Sequence, residues 1–400
     1  MATAEKTVVL AYSGGLDTSV AIRWLIDTYG YQVVALSVDL GETKDPEALK
    51  AKALAIGAKA AVVVDGRAEF AAEFLTPALW GNALYQREYP LATALARPLI
   101  AKHLVAAARE FGAEAVAHGC TGKGNDQVRF DVAVASLAPD LAVVAPVREW
   151  AWSRGQEMAY AEAHHIPVPA TIESPYSVDA NLWGRSIEGG VLEDPWVEPP
   201  EACYAWTAGP EAWPAEGEEI TLSFVAGVPV QLNGAAMALE ELISAVGEVA
   251  GRHGVGRLDL LEDRLVGIKS REVYEAPAAV TLIGAHRAAE ALTLPRDLLA
   301  HKAGIEEVLA QTIYNGLWYG PLTKALLAYL EETQRPVEAE VRLRLKAGQA
   351  TVVGRRSTRS LYRPELATYG EGDAFDAQAA TGFIKIWGLP MKAVANAHGR

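Results

Sequence analysis

The chain has 400 residues, of which 50% are hydrophobic and 22% are charged, the balance of an ordinary globular protein. It is long for a single hydrophobic core, so two domains are expected. Its 36 basic and 50 acidic side chains give a formal net charge of −14, which disfavours a nucleic-acid partner and favours small anions held by local positive groups.

Short apolar runs alternate with helical patterns up to residue 164. The runs predict strands at residues 7–12, 33–38, 60–64, 115–118 and 141–145. The patterns between them predict helices at residues 17–29, 46–56, 91–111 and 154–164. Such alternation is typical of right-handed βαβ crossovers and a parallel sheet covered on both faces. The predicted class is therefore α/β, a Rossmann-like domain whose ligands lie beyond the carboxyl ends of its strands.

The composition changes after this region, and residues 193–214 are rich in Pro and Trp. Further patterns predict a strand pair at 220–230 closed around Gly227, a helix at 239–250, a strand–turn–strand unit at 258–266, helices at 285–299 and 305–333, and a hairpin of 341–345 with 350–353. We expect a first domain at 1–168, an α+β second domain at 169–370 and a subunit-contacting tail at 371–400. The basic stretch 342–363 is interpreted first as a solvated strand face and second as a subunit contact.

The two cysteines, Cys120 and Cys203, lie far apart and match no metal-ligand spacing. This count excludes a disulfide scaffold and suits a reducing cytoplasm. The first residues do not have the pattern of a signal peptide, and no run approaches the ~20 apolar residues that cross a bilayer. We expect a soluble cytoplasmic protein with no membrane partner and no metal site of its own.

A glycine-rich loop follows the first predicted strand and opens the first helix, with the sequence AYSGGLDTS at residues 11–19. Its glycines let the backbone approach a ligand closely. The unpaired N–H groups at the helix start, with roughly half a positive charge from the helix dipole, face that ligand. We interpret the loop as a cradle for the phosphates of ATP; the alternative is a plain turn with Asp17 or Thr18 as N-cap. The string resembles the SGGxDS signature of the PP-loop ATP pyrophosphatase superfamily, which implies cleavage of ATP between its α- and β-phosphates.

A second glycine-rich loop, AHGCTGKGNDQVRF at residues 117–130, also joins a predicted strand to a helix. Its mixed donors and acceptors suit an amino acid with a carboxylate and an ammonium group. Asp126 could bind the ammonium, and Arg129 could bind a carboxylate through two parallel hydrogen bonds. The alternative is an Asn or Asp helix cap with Arg129 on a solvated face. His118 is interpreted as a hydrogen-bonded residue at the strand end and not as a catalytic base.

Together, the two loops resemble the argininosuccinate synthase family, which joins citrulline to aspartate at the expense of ATP. Further segments agree in order along the chain: YPLATALARP at 89–98, SPYSVDANLWGRSIEGGVLEDPW at 174–196, GRHGVGRLDLLEDRLVGIKSREVYE at 251–275 and FIKIWGL at 383–389. The resemblance implies an adenine nucleotide alpha hydrolase-like domain, a synthetase domain and a homotetramer with an oligomerisation tail.

The resemblance also implies site residues. The ATP contacts fall on Ala11, Tyr12, Ser13, Gly14, Gly15, Leu16, Asp17, Thr18, Ser19, Val38 and Gly119. The aspartate contacts fall on Thr121, Asn125 and Asp126, and the citrulline contacts on Tyr89, Asn125, Arg129, Ser177, Ser186, Glu262 and Tyr274. Asp126 and Arg129 are the predicted catalytic pair, and Asp126 is one candidate for the proton acceptor of the aspartate amine.

This sequence departs from the family pattern at two positions. Ala94 stands where the family commonly has a hydroxyl residue that contacts citrulline, and the adjacent Thr93 could replace it. Cys120 stands where alanine is frequent; it could be a nucleophile, but a small buried thiol is the favoured interpretation.

The implied reaction begins when the citrulline ureido oxygen attacks the α-phosphate and expels pyrophosphate. The amine of aspartate then displaces AMP from the activated carbon. Mg²⁺ carried by ATP would bridge the β- and γ-phosphates, and the protein would position the three substrates. Two alternatives are another PP-loop enzyme, such as a tRNA thiolase or an amidotransferase synthetase, and a nucleotide-binding regulator without catalysis.

Overall fold

A computed structural model describes residues 6–167 and 176–399. The predicted boundary at residues 168 and 169, and the start of the 174–196 segment, lie outside these residues. Within the described residues the strands are β1 (Thr7–Ala11), β2 (Gln32–Asp39), β3 (Ala60–Asp65), β4 (Ala115–Ala117), β5 (Ala142–Val144), β6 (Ser177–Asn181), β7 (Gly184–Glu188), β8 (Glu218–Val225), β9 (Val228–Leu232), β10 (Ala235–Ala236), β11 (Arg257–Asp263), β12 (Lys269–Glu275), β13 (Ala339–Lys346) and β14 (Gln349–Arg356).

The helices connect and cover these strands. They are α1 (Leu16–Tyr29), α2 (Pro46–Ile56), α3 (Arg67–Glu69), α4 (Thr76–Trp80), α5 (Ala92–Glu110), α6 (Asp126–Leu137), α7 (Pro146–Trp150), α8 (Arg154–Ala163), α9 (Leu239–Arg252), α10 (Pro277–Thr293), α11 (Arg296–Tyr314), α12 (Pro321–Gln334), α13 (Pro364–Ala367), α14 (Ala377–Trp387) and α15 (Leu389–Ala397). A π-helical stretch, Phe70–Leu75, joins α3 to α4, and short 3₁₀ turns lie at Gly190–Glu193, Glu201–Cys203 and Pro210–Ala212.

The first five strands form the predicted parallel sheet, in the order β3-β2-β1-β4-β5. Successive residues of β1 point to opposite faces: Val8 and Leu10 pack in one apolar cluster, and Val9 packs in the other. Both faces of this strand are therefore buried. For this reason apolar and polar residues do not alternate along it, as is typical of a sheet covered on both faces. The chain leaves β1 towards β2 on one side and reaches β4 on the other, so the crevice between the ends of β1 and β4 is the place where ligands bind in such sheets.

The second half confirms an α+β arrangement with two antiparallel sheets. One has the strand order β10-β9-β8-β13-β14 and the other β11-β12-β7-β6. The predicted hairpins around Gly227 and Gly348 are confirmed, and both glycines have positive φ, +71° and +78°. The basic residues Arg342 and Arg344 of β13 lie on its exposed face and pair with Glu219, which confirms the solvated-face interpretation for this strand.

Two predictions of element boundaries in this half are wrong. The strand–turn–strand unit at 258–266 is one strand, β11, followed by a turn in which the apolar Leu265 and Val266 are exposed. The predicted helices 285–299 and 305–333 are three helices, because Pro295 caps the start of α11 and Gly316, at φ +74°, ends it. A Cβ on Gly316 would lie 2.9 Å from the Cα of Arg129, so this break brings α11 against the second glycine-rich loop.

A buried polar network joins the chain after α4 to α10, α11 and α12. Lys302 is 1% exposed, and its Nζ lies 3.0 Å from Oε1 of Glu290. The amides of Asn82 and Gln334 each donate to the same carboxylate at 2.7 Å. The two ring nitrogens of His286 lie 2.8 Å from the amide oxygens of Asn82 and Gln334. Every member is hydrogen-bonded, which is what allows charges to remain in a core.

The described part of the predicted tail, residues 371–399, is almost entirely exposed. Its helices α14 and α15 expose large apolar side chains, among them Phe383, Trp387 and Met391. In the described part of the chain no helix combines the length and apolarity needed to cross a membrane.

We predict that Lys302→Met lowers the free energy of unfolding by about 3–5 kcal/mol, because it leaves the buried Glu290 carboxylate without its cation. Lys324→Met, on the exposed face of α12, is the matched control and should change it by no more than about 0.5 kcal/mol. Urea unfolding followed by circular dichroism measures both. Equal effects of the two substitutions would contradict a stabilising role for the network.

Candidate active site

The loop of residues 11–19 forms a sharp turn between β1 and α1. Gly14 has φ +77°, and a Cβ there would lie 2.5 Å from Leu49, so only glycine fits without strain. Helix α1 begins at Leu16 with Gly15 as N-cap, and no described side chain caps it. Lys52 of α2 fixes the turn by donating from Nζ to the Gly14 carbonyl at 2.6 Å. The first N–H groups of α1 are therefore aimed at the crevice without a protein side chain competing for them.

Hydroxyl groups line the inner side of this loop. Ser13 Oγ lies 3.1 Å from Thr18 Oγ1, and Tyr12 Oη lies 3.5 Å from Ser19 Oγ. The closest approach of the two glycine-rich loops is at Gly119, where a Cβ would lie 2.8 Å from Cγ2 of Thr18. The two loops thus form one continuous surface at the carboxyl ends of β1 and β4.

A cavity of about 280 Å³ opens beside the first loop. Of the residues predicted to contact ATP, it is lined by Ala11, Tyr12, Ser13, Thr18, Val38 and Gly119. Asp17 faces the neighbouring cavity. Gly14, Gly15, Leu16 and Ser19 line neither cavity: the glycines shape the turn, Leu16 packs beside the core and Ser19 is fully buried.

The neighbouring cavity, of about 360 Å³, brings together side chains from both halves of the chain. It contains every residue predicted to contact the two amino acids: Tyr89, Thr121, Asn125, Asp126, Arg129, Ser177, Ser186, Glu262 and Tyr274. A larger cavity of about 760 Å³ lies between α9 and the start of α10, and it contains none of the predicted residues. The structure therefore gathers all residues predicted to contact the amino acids in one cavity, and six of the eleven residues predicted to contact ATP in the cavity beside it.

Arg129 is buried, with 3% exposure, which contradicts the alternative of a solvated helix face. Its Nε donates to the carbonyl of Tyr314 at 3.1 Å, its Nη1 donates to Asp126 at 2.8 Å, and its guanidinium lies 4.9 Å from the Tyr314 ring centre. Its Nη2 is buried and has no hydrogen-bond partner among the residues that the structure describes. A buried guanidinium nitrogen without an acceptor is costly, so this atom points to a bound anion such as a carboxylate.

Asn125 occupies the N-cap position of α6, but its side chain makes no capping hydrogen bond, which contradicts the other part of that alternative. Its amide nitrogen donates to Tyr314 Oη at 2.8 Å, and its amide oxygen accepts from the N–H of Leu265 at 2.9 Å. Both partners belong to the second domain. The side chain thus ties the second glycine-rich loop to the other wall of the cavity.

Glu262 forms the acidic end of this cavity and is 3% exposed. Tyr314 Oη donates to its Oε2 at 2.8 Å, and Tyr274 Oη donates to its Oε1. Burial raises the pKa of Glu262, although the two hydrogen bonds oppose that shift. A ligand ammonium would restore the ionised form, because an opposite charge favours it. Tyr274 stacks on Tyr89 with ring centres 4.2 Å apart, so an aromatic pair forms the floor beside the carboxylate.

Asp126 is held by two guanidinium groups. Arg97 donates to its Oδ2 from Nε at 2.9 Å and from Nη2 at 2.7 Å, while Arg129 donates to Oδ1. Burial alone would raise the pKa of Asp126, but the charges of Arg97 and Arg129 lower it to about 2. Asp126 is therefore a firmly ionised carboxylate that suits binding of an ammonium group better than proton uptake.

Thr93, and not Ala94, supplies a hydroxyl at the departure from the family pattern. Its Oγ1 lies 2.7 Å from Tyr89 Oη, and it lines the cavity of about 360 Å³, which we call the amino-acid cavity after the contacts predicted for its residues.

Cys120 lines both cavities, and burial raises the pKa of its thiol. The thiol is protonated near pH 7, as expected for a small buried residue and not for a nucleophile. His118 is 2% exposed, with Nε2 2.8 Å from Asp131, which confirms it as a satisfied strand-end residue.

Sequence reasoning missed several residues of the site. Arg97 and Asp179 line both cavities, Tyr314 braces Glu262 and Arg129, and Arg264 bridges Glu188 and Glu272 beside Glu262. Arg97 lies in the 89–98 segment and Asp179 lies in the 174–196 segment. Because both segments resemble the family, these two charged residues could have been predicted as site residues. Tyr314 lies in the middle of a stretch that was predicted as continuous helix, and its role depends on a chain break that periodicity does not reveal.

Comparison with known proteins agrees with this geometry. Residues 7–167 match the family model described as "Arginosuccinate synthase N-terminal HUP domain", and residues 176–394 match the one described as "Arginosuccinate synthase C-terminal domain". The chain belongs to the argininosuccinate synthase family. Similar relatives are argininosuccinate synthases of Brevibacillus brevis (56% identity over 98% of this chain and 94% of that protein), Oceanobacillus iheyensis (56%, over 99% and 95%) and Shouchella clausii (57%, over 97% and 96%).

The argininosuccinate synthase family uses ATP, and the loop of residues 11–19 is the predicted place of its phosphates. We predict that Gly14→Ala raises the KM for ATP about tenfold or more, because a left-handed alanine costs roughly 1–2 kcal/mol and its Cβ would clash with Leu49. Steady-state kinetics with varied ATP measures the change. Gly112→Ala is the matched control: Gly112 also has positive φ, +61°, but is remote from the loop and has open space around it. An equal KM in both variants would contradict this role of the turn.

Proposed function

We propose that this chain ligates L-citrulline to L-aspartate, with ATP converted to AMP and pyrophosphate and argininosuccinate as the product. This reaction is a step of arginine biosynthesis, and it adds the third nitrogen of the guanidinium group, because the ureido group of citrulline already has two. The observation that carries the proposal is that one cavity is lined both by Arg129, whose buried Nη2 has no hydrogen-bond partner among the described residues, and by the buried carboxyl of Glu262. An α-amino acid has the two charges that these two groups require.

The two adjoining cavities fit the order of the chemistry. A ureido oxygen is a poor leaving group. It must first form a bond to the α-phosphate of ATP, because an amine can then displace it as part of AMP. Ser13, Thr18 and the first N–H groups of α1 offer donors to the departing pyrophosphate. Arg129 and Glu262 would hold the citrulline α-carboxylate and α-ammonium, with Ser177 and Ser186 beside them. Holding the ureido oxygen in position next to the α-phosphate can lower the activation free energy by up to ~7–11 kcal/mol.

Aspartate would occupy the part of the cavity formed by Thr121, Asn125 and Asp126. Asp126, which the two neighbouring guanidinium groups keep ionised, would bind its ammonium. Carboxyl groups outnumber guanidinium groups around this cavity, which supports binding of a second ammonium group, that of aspartate, in addition to that of citrulline. Six carboxyl side chains and three guanidinium groups line it: Asp17, Asp126, Asp179, Glu188, Glu262 and Glu272, with Arg97, Arg129 and Arg264.

The finer features of the proposal concern the ion, the assembly and the compartment. Mg²⁺ would arrive with ATP and neutralise the β- and γ-phosphates; among the described residues no cluster of His, Cys, Asp and Glu could hold a metal ion by itself. The exposed apolar faces of α14 and α15 support a homotetramer in which this tail contacts another subunit. Two free cysteines support a reducing compartment such as the cytoplasm.

We predict that pyrophosphate release depends on citrulline. With ATP and citrulline but no aspartate, we expect a burst of no more than one equivalent per site, because the adenylate cannot turn over. With ATP and aspartate but no citrulline, no release should occur. A coupled pyrophosphate assay with each substrate omitted in turn measures this. Release that is independent of citrulline would refute the proposed function.

We predict that Arg129→Ala raises the KM for citrulline roughly 10- to 100-fold, the range expected from losing a hydrogen-bonded charge pair. The KM for ATP should change by less than about threefold, because Arg129 lines the amino-acid cavity only. Arg109→Ala, at an exposed arginine paired with Asp140, is the matched control and should leave both values unchanged. Arg129→Lys, which keeps the charge without the two parallel donors, should lie between. An equal loss for ATP and citrulline would show that Arg129 is structural.

A further inference from the structure

The wall between the two cavities contains a charged pair that no part of the proposed binding scheme uses. The residues that line both cavities are Ser13, Arg97, Gly119, Cys120 and Asp179. Arg97 and Asp179 are the charged members of this set. In the proposed reaction the α-phosphate lies in one cavity and the ureido carbon in the other, so the bonds that form and break must cross this wall. Charged groups here therefore lie next to the reacting atoms.

Asp179 and Asp126 are both bonded to Nη2 of Arg97 but differ in their surroundings. Asp126 receives three hydrogen bonds from two guanidinium groups. Asp179 has its ion pair with Arg97 alone among the described arginines and lysines, and 37% of its side chain is exposed to the cavities. Burial raises the pKa of Asp179, Arg97 opposes that shift and the charge of Asp126 adds to it. Of the two carboxylates, Asp179 is the stronger base.

We propose that Asp179 is the proton acceptor of the ligation step, and that Arg97 is the residue that positions it; this inference rests on the function proposed above. Glu188 and Glu272 also lie nearby, but they line the amino-acid cavity alone and are joined to Arg264. Neither of them lines the cavity beside the first glycine-rich loop. Asp179 is the basic group placed where an amine must approach the adenylated carbon.

The step balances as follows. The aspartate ammonium gives one proton to the Asp179 carboxylate, and this frees the nitrogen lone pair. The lone pair forms the new C–N bond to the activated ureido carbon. The C–O bond to AMP breaks, and its electron pair leaves on the AMP phosphate. The adenylated ureido group keeps its three N–H hydrogens and carries one positive charge. Of the two hydrogens still on the attacking nitrogen, one stays and the other leaves as a proton to solvent, which gives the guanidinium product with four N–H bonds. Neither an oxidant nor a further reactant is needed.

The charged and titratable groups that face Asp179 come from four elements. Arg97 faces it from α5 and Asp126 from α6. Glu42 approaches from the chain after β2 and Cys120 from the chain after β4. Since Cys120 is a protonated thiol near neutral pH and Glu42 adds negative charge, the neighbours other than Arg97 favour proton uptake by Asp179.

The decisive variant is Asp179→Asn, which keeps the size of the side chain but removes the base. We expect the rate of the complete reaction to fall about 10²–10⁴-fold, the usual contribution of a general base. Formation of the citrullyl adenylate from ATP and citrulline, measured by rapid quench in the absence of aspartate, should fall no more than about threefold. Asp126→Asn is the contrasting variant: its main effect should be a higher KM for aspartate, because Asp126 binds the ammonium.

A second readout separates base catalysis from a structural role. In Asp179→Asn, kcat/KM for aspartate should rise about tenfold per pH unit below the pKa of the free amine, because only the amine already deprotonated in solution can react. In the unchanged enzyme the same quantity should be level above neutral pH and should fall at acid pH as the Asp179 carboxylate becomes protonated. Adenylate formation should lack this acid fall.

The outcomes distinguish the two proposals. If the unchanged enzyme forms no adenylate with ATP and citrulline, the proposed function fails. If it forms adenylate, but Asp179→Asn loses adenylate formation and ligation equally, or keeps a level pH profile, Asp179 is not the base. The acid fall in the unchanged enzyme tests the inference without any variant, so its absence would overturn the inference even if Asp179→Asn did not fold.

Discussion

The ion chain of Arg97, Asp126 and Arg129 is the interaction on which the rest of the site depends. It begins in the long helix α5, passes through the first residue of α6 and ends beneath α11, where Arg129 donates to the backbone of Tyr314. Arg129 is buried, and only 15% of the Arg97 side chain and 26% of the Asp126 side chain are exposed, so each charge would be costly alone. Each is therefore held in place by the next, and the second glycine-rich loop, which precedes Asp126, is fixed relative to both domains.

This chain of charges explains why the parallel sheet needs a second domain. The crevice at the ends of β1 and β4 provides glycine turns and helix N–H groups, which suit phosphates in general. It provides little that distinguishes one acceptor molecule from another. Glu262 of β11 and Tyr274 of β12 line the same cavity as Arg129, and Tyr314 of α11 is hydrogen-bonded to both Glu262 and Arg129 behind them. The sheet thus supplies the chemistry of the nucleotide, and the second domain supplies the selection of what reacts with it.

Local sequence predicted the elements whose residues determine their own backbone. The buried strand β1, the turn at Gly14 and helix α2 with its N-cap Asp45 all follow from neighbouring residues. The residues of the two glycine-rich loops could be assigned because loop, strand and helix are contiguous. Arg97 and Tyr314 could not be assigned in this way, because their roles depend on partners that are distant in sequence. The break between α11 and α12 belongs to the same class: Gly316 ends the helix where Arg129 leaves no space for a Cβ.

The electrostatics of the protein's own side chains also indicate the charge pattern of the ligand that the site binds. Burial raises the pKa of Glu262 and that of Asp179, while Arg129 retains a buried donor without an acceptor. These features are unfavourable in the protein alone, since a buried carboxyl prefers to be neutral and a buried guanidinium prefers to be paired. An amino acid has one ammonium, which favours the ionised form of Glu262, and one carboxylate, which accepts from Arg129. The protein therefore carries in its folded state an electrostatic cost that only a ligand of the right charge pattern removes, and this difference in free energy is available for selecting the substrate.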